Sequence, residues 1–291
     1  RSLLFRVLYY RRRISLEVHH ALTDGTGALH FLCALVYEYL LLRYEGVFSD
    51  AFPAPPYDAA QFQRQVDSFQ KYYEKPSNRF ARLSPPAYQF RGERLPRRQM
   101  AVLEGRMPLD QALACARERG ATLTELMTAV FLRAIHDGMR VRDRRKPVVV
   151  AVPVNLRNFF PSESARNFFA TINVGYDFGR GEDGLESVLA EVKRSFQANL
   201  TQERMREHMN RLCALEHSVP LRLVPLPLKD VILLAANRLT ARGVTASFSN
   251  IGKVSMPKEM EKLIHFFGAY TSAGKTQACA CSFGGQYVVS F

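Results

Sequence analysis

The stretch Ser15–Gly27, SLEVHHALTDGTG, constrains the fold more than any other part of the chain. It closes an alternating segment in which Ile14, Leu16, Val18 and His20 share one face and Ser15, Glu17 and His19 share the other, the period of a half-buried strand. A turn-forming LTDGTG follows, with Asp24 placed as a helix N-cap. From Ala28 to about Tyr44 the pattern is that of a strongly apolar helix, and Gly46 ends it. A helix of that kind has to be buried, here against a sheet. A strand, a turn and a buried helix in that order require a layered α/β architecture.

The rest of the chain agrees with layers. Residues 3–10 read as a strand joined through Arg11-Arg12-Arg13 to the strand over 14–20. A Pro-rich loop is expected over 50–60, and a polar, aromatic helix over 61–73. Residues 76–98 carry Pro76, Pro85, Pro86 and Pro96 among arginines, and read as a segment crossing between two lobes, 1–98 and 99–291. The second lobe is expected to open with a strand near 99–106. Pro108 then starts a helix to about Arg119, which Gly120 closes, and Thr124 starts another to about Asp137. Strands are expected over 147–156 and 167–178, the latter with Phe169, Thr171, Asn173 and Gly175 on one face. A long helix is expected over 184–209 and a shorter one over 229–238. Strands follow at 245–252, 266–273, 276–283 and 286–291. Alternation in the middle and strands at the end predict mixed sheets with flanking helices. The run 220–239 has basic and leucine-rich faces that could lie on a bilayer; packing of its helix on the sheet is the plainer reading.

Of the 291 residues, 47% are hydrophobic, enough for one large domain or two lobes. The net charge of +13 suits nucleic acid, an anionic membrane surface, or a phosphorylated or acidic partner. The basic residues are scattered and no zinc-finger or RNA-binding spacing is visible, which argues against nucleic acid. Cys33, Cys115, Cys213, Cys279 and Cys281 are an odd set without disulfide or metal spacing, and a reducing, cytoplasmic home fits them. The apolar run Phe31–Leu42 is interrupted by Glu38 and is too short to span a bilayer. A start at Arg1, already inside a strand, suggests a fragment or a processed chain.

Two adjacent histidines, three spacers and Asp-Gly arise by chance in a chain this long on the order of once in a thousand. HHALTDG resembles the HHxxxDG motif of the acyltransferase superfamily that includes chloramphenicol acetyltransferase, condensation domains of peptide synthetases, alcohol O-acetyltransferases and wax ester synthases. VPVNLRNFF with ARNFFATINVG (152–175), SFSNIGKV (247–254) and the segment 102–135 resemble further parts of that family. The resemblance covers nearly the whole chain, and HH is its specific part. It implies a chloramphenicol acetyltransferase-like fold of two lobes with an active-site tunnel between them.

It also implies roles. His20 would be the general base, taking a proton from an acceptor hydroxyl or amine as it attacks a thioester carbonyl, and His19 its supporting neighbour. An ordinary imidazole titrates near neutral pH, and burial on the apolar face would keep His20 uncharged. No nucleophilic serine or cysteine is required. Asp24 would be paired with Arg157 rather than with a histidine; without the resemblance, a plain N-cap explains Asp24 as well. Gly25 would permit the tight turn and bring a backbone N–H to the developing oxyanion. Ser249 and Asn250 are candidates for oxyanion or acceptor contacts, and Asn173 for the tunnel lining. Each is explained equally well by a structural hydrogen bond.

The implied donor is an acyl thioester, with acyl-CoA as co-substrate and no permanently bound cofactor or metal, and the acceptor a small alcohol or amine. The positive charge suits CoA phosphates and an acidic acyl carrier protein alike. A carrier-dependent condensation enzyme and a non-catalytic binding module of the same fold remain as alternatives. Family members carry a substantial segment before the motif, which here begins at His19. The first part of the N-terminal lobe is therefore expected on another polypeptide, or lost.

Overall fold

A computed structural model of the chain describes residues 3–48, 66–74, 84–92, 95–96, 99, 101–218, 222–272 and 274–291. The expected Pro-rich loop over 50–60 and residues 61–65 of the expected helix over 61–73 lie outside these; of 66–73, only Ser68–Lys71 is helical. Among the described residues there are two sheets. Strands β1 (Phe5–Tyr10) and β2 (Arg13–Val18) form an antiparallel hairpin, closed at Tyr10↔Arg13 with Arg11 in the left-handed region at φ 53°. The larger sheet has the order β3 (Glu104–Pro108), β8 (Gln286–Ser290), β7 (Gln277–Phe283), β6 (Ala246–Lys253), β4 (Val148–Asn155), β5 (Phe169–Tyr176). β6 runs parallel to β4 and β7, and the other pairs are antiparallel. The sheet is thus mixed, as the alternation of elements predicts.

The helices are α1 (Gly25–Arg43), α2 (Ser68–Lys71), α3 (Leu109–Glu118), α4 (Leu123–Asp137), α5 (Leu185–Asn199), α6 (Gln202–Glu216), α7 (Leu226–Ala241) and α8 (Lys258–Glu261). The local signals explain several ends. Gly120, at φ +55°, turns the chain after α3. Thr122 then opens α4 with a capping box: its hydroxyl accepts the Glu125 N–H, and the Glu125 carboxylate accepts the Thr122 N–H.

Strand alternation sorts the larger sheet into two faces. Val148, Val150 and Val152 of β4 and Ala170, Ile172 and Val174 of β5 face Ala129, Leu132 and Ile135 of α4 and Val188, Leu189 and Val192 of α5. A second core forms where Cys33, Tyr37 and Leu40, spaced along one stripe of α1, meet Val254, Met256, Met260, Phe267, Cys281 and Phe283. At 19 residues α1 is, by length and composition alone, able to cross a membrane, contrary to the length read for its apolar run. One such helix is weak evidence, and this stripe makes it a core helix of the fold.

Three expectations fail for identifiable reasons. The helix over 184–209 is two helices, because Thr201 accepts the Arg204 N–H on its hydroxyl and starts a second one. Residues 266–272 are not a strand: the Phe267 and Ala269 carbonyls are taken by the Cys281 thiol and the Ser290 hydroxyl instead of a ladder. The helix expected at 229–238 extends to 226–241 and does not pack on the sheet. It buries no residue, and Leu226, Leu228, Val231, Ile232, Leu233, Leu234 and Leu239 are all exposed.

Core and projecting leucines should therefore respond differently to truncation. Leu132→Ala, at a fully buried position, is expected to cost about 2–5 kcal/mol in urea unfolding. Leu233→Ala, on exposed α7, should stay within about 0.5 kcal/mol. Equal losses would show that α7 is packed in solution.

Candidate active site

The Asp24 carboxylate is buried where the N-terminus of α1 meets the end of β4. Its Oδ1 accepts the Gly27 N–H at 3.0 Å, the N-cap bond. Its Oδ2 accepts Arg157 Nη1 at 2.7 Å and the Phe168 N–H at 2.9 Å. The two readings of Asp24 coexist, one oxygen capping and the other pairing. Arg157 follows β4 in a single 3-10 turn whose cap, Asn155, accepts the Arg157 N–H on Oδ1 at 3.0 Å. The other Arg157 nitrogen, Nη2, donates to the carbonyls of Ser164 and Arg166, each at 2.8 Å. The guanidinium thus holds the loop 164–168 against the motif, and Thr23 adds a hydroxyl bond to the Ala165 carbonyl at 2.6 Å.

The histidines lie just beyond β2, which ends at Val18 rather than reaching His20. The His19 N–H donates to the Leu4 carbonyl, and His19 Nδ1 accepts the Ala21 N–H at 3.3 Å, so that ring is engaged with its own loop. His20 is exposed, which corrects the expectation that burial keeps it neutral. Its ring lies 5.3 Å from that of Phe169 at the start of β5. Its carbonyl accepts Asn167 Nδ2 at 2.7 Å.

Register places the remaining candidates. Asn155 pairs with Phe169, Pro153 with Thr171, and Ala151 with both Asn173 and Ser247, while Ser249 pairs with Cys279. Phe169, Thr171, Asn173, Ser247 and Ser249 therefore share the sheet face opposite α4 and α5, and His20 stands over Phe169 on that face. Asn173 is exposed there and Ser249 half-buried. Asn250 points the other way, its Nδ2 bonded to Thr124 Oγ1 at 2.9 Å and its Oδ1 to the Gly252 N–H. That position serves the start of α4 and corrects its candidacy for the reaction.

The tight glycine of DGTG is the second one. A Cβ at Gly25 would meet nothing within 4 Å, and Gly25 is not in the left-handed region, so the turn does not need it. A Cβ at Gly27 would lie 2.1 Å from Thr23 Oγ1 and 3.0 Å from the Ala165 carbonyl. Asn155, Asn167 and Gly27 are the residues that sequence reasoning missed, and the close-packed Gly27 was signalled only by the repeated glycine. His30 of α1 sits close enough to feel the pair. Burial first, then the Arg157 charge, hold its pKa below the ordinary imidazole value, while Asp24 and Glu163 oppose them. Burial pushes the thiols of Cys33, Cys213 and Cys281 up to about 11, so they stay protonated at neutral pH. No group of three or more metal-binding side chains occurs among the described residues.

Two expectations can be measured as stability. Asp24→Ala strands the Arg157 charge and should cost about 3–5 kcal/mol. The double variant Asp24→Ala/Arg157→Ala should cost clearly less than the sum of the single ones; additive losses would mean that the pair is not coupled. Gly27→Ala should lower stability by about 1–3 kcal/mol, whereas Gly25→Ala should leave it unchanged or raise it by about 0.4–1 kcal/mol. Urea midpoints in the reverse order would contradict this turn geometry.

Comparison with known proteins bears on the fold. No protein-family model and no curated protein sequence matches the chain. Solved structures do. Polyketide synthase associated protein 5 from Mycobacterium tuberculosis superposes with a TM-score of 0.53 at 14% identity, over 99% of this chain and 71% of that one. TRI3 trichothecene 15-O-acetyltransferase from Fusarium sporotrichioides gives 0.55 at 13% identity, over 95% of this chain and 60% of that one. The first condensation domain of the calcium-dependent antibiotic synthetase, in complex with substrate analogue 3a, gives 0.50 at 16% identity, over 96% and 58%. The chain thus spans 58–71% of the length of these structures. Its fold is the chloramphenicol acetyltransferase-like fold of acyltransferases and condensation domains.

Proposed function

We propose that this chain transfers an acyl group from an acyl thioester, acyl-CoA first among donors, to a small alcohol or amine. His20 acts as general base. Its imidazole takes the acceptor proton as the oxygen or nitrogen attacks the thioester carbonyl, and returns that proton to the departing thiolate as the tetrahedral intermediate collapses. The single observation that carries this reading is the direction of the Asp24–Arg157 pair. The carboxylate is spent on the arginine, the Phe168 N–H and the helix cap, leaving His20 exposed over the open sheet face. An Asp–His pair activating a serine needs the opposite arrangement. Ser249 and Asn173 flank the reaction space on that face, and the first N–H groups of α1, at Gly25, lie at a helix N-terminus suited to a developing oxyanion. His19 supports the loop. The protein works in the cytoplasm, without a resident cofactor or metal.

A second reading has a specific likeness behind it. The likeness in fold to a condensation domain supports, as the alternative donor, an acyl group on a carrier protein, and the net charge of +13 suits an acidic carrier as well as CoA. The test is turnover. Incubation with acetyl-CoA or longer acyl-CoAs and a panel of alcohols and amines should release free thiol. His20→Ala, at unchanged thermal stability, should abolish that release. A rate that survives His20→Ala overturns the assignment of the base. Release from a carrier-loaded acyl group and from no CoA thioester would select the second donor.

A further inference from the structure

We propose that Asn167 is the positioning residue that fixes His20 for proton transfer, an inference that rests on the reading of His20 as base. The loop from His19 to Asp24 is tied at both ends, by the His19 N–H to the Leu4 carbonyl and by Asp24 to Arg157. Between those ties lies His20. Among the described residues one hydrogen bond reaches it, from Asn167 Nδ2 to its carbonyl at 2.7 Å. The ring itself makes one described aromatic contact, with Phe169, two residues further along the same segment. The base is thus held in backbone and in ring by Asn167 and Phe169, which flank Phe168, the residue whose N–H binds Asp24.

The chemistry of the amide points the same way. Only its NH2 end can donate to a carbonyl, so Nδ2 faces His20 and Oδ1 faces inward. That Oδ1 is buried and accepts no hydrogen bond from the described residues. A buried carbonyl left unpaired opposes folding, and an apolar side chain of similar size would avoid the penalty. An apolar side chain could fill the place but could not donate to the His20 carbonyl, as the asparagine does. The residue touches neither donor nor acceptor in this scheme, and it acts through His20. Near-attack geometry is steep, and a displacement of about 1 Å costs on the order of 100-fold in rate.

The variants are Asn167→Ala, which removes the donor, and Asn167→Asp, which keeps the shape but sets an acceptor against the His20 carbonyl. Each is compared with the parent protein for thermal midpoint, kcat, KM and the ring resonances of His20, assigned by their loss in His20→Ala. The expected result is a kcat about 10–100-fold lower, with KM changed less than about threefold, a nearly unchanged midpoint in Asn167→Ala, and displaced His20 ring resonances. Asn167→Asp should lose at least as much and stands in if the alanine variant does not fold. A merely structural staple would move the midpoint and leave kcat of the folded protein alone; that result overturns the proposal while His20→Ala remains inactive. Should the parent show no turnover, or His20→Ala retain it, the reading of the base fails separately. With turnover in the parent that His20→Ala abolishes, identical His20 spectra in Asn167→Ala would likewise overturn the proposal.

Discussion

The buried pair of Asp24 and Arg157 is the interaction on which the site depends. Two charges removed from water are costly unless their remaining hydrogen-bonding capacity is filled. Here it is filled. The carboxylate accepts two backbone N–H groups besides the guanidinium, and the guanidinium reaches two carbonyls besides the carboxylate. A lysine could not do this, since its point charge lacks the planar fork that reaches Asp24 and the 164–166 loop at once. The pair also joins segments that are far apart in sequence. α1 would otherwise be attached to the sheet through its apolar stripe, which fixes its tilt but not its register along the axis.

Committing the carboxylate to this task determines what the histidine can do. With Asp24 occupied, His20 has no acidic orienter among its described contacts, and its direction comes from its loop. That loop is short and is pulled from both sides, by the hairpin through His19 and by residues 165–168 through Thr23, His20 and Asp24. Gly27 belongs to the same device. Its missing side chain lets the first turn of α1 close on Thr23 and the Ala165 carbonyl. A turn so tightly packed on backbone has few alternative conformations, which suits the base role proposed for His20.

Much of this was legible in the sequence, and the failures have a common cause. The strands at β4, β5, β7 and β8 and the helix ends at Gly120 and Asp137 follow from alternation, capping and glycine, all of them local. The fold and the placing of Asp24 near Arg157 came from the motif's resemblance, since no periodicity relates residues 24 and 157. Exposure of His20, the inward turn of Asn250 and the role of Asn167 depend on what lies across the sheet. Strand parity alone could have set Ser249 and Asn250 on opposite faces, but not which face met α4. The unpacked α7 was misread because an apolar run implies a partner without saying where that partner lies.

The described residues divide the requirements of the site unevenly. Everything that fixes His20 in place is present: β2 and its loop, the Asp24–Arg157 pair, residues 165–169 and the end of β4. The surface it stands over is a single sheet face, with Phe169, Thr171 and Asn173 in one row and Ser247 and Ser249 in another. One face can orient an acceptor but cannot enclose it, and rates rise with exclusion of water as well as with alignment. The position of His20, the proposed base, is thus set by contacts among the described residues of this chain. Under the proposed acyl transfer, changes at Thr171 and Asn173 of β5 and at Ser247 and Ser249 of β6 should alter acceptor selectivity, whereas a change at Phe169, which touches the His20 ring, should disturb the geometry of proton transfer as well.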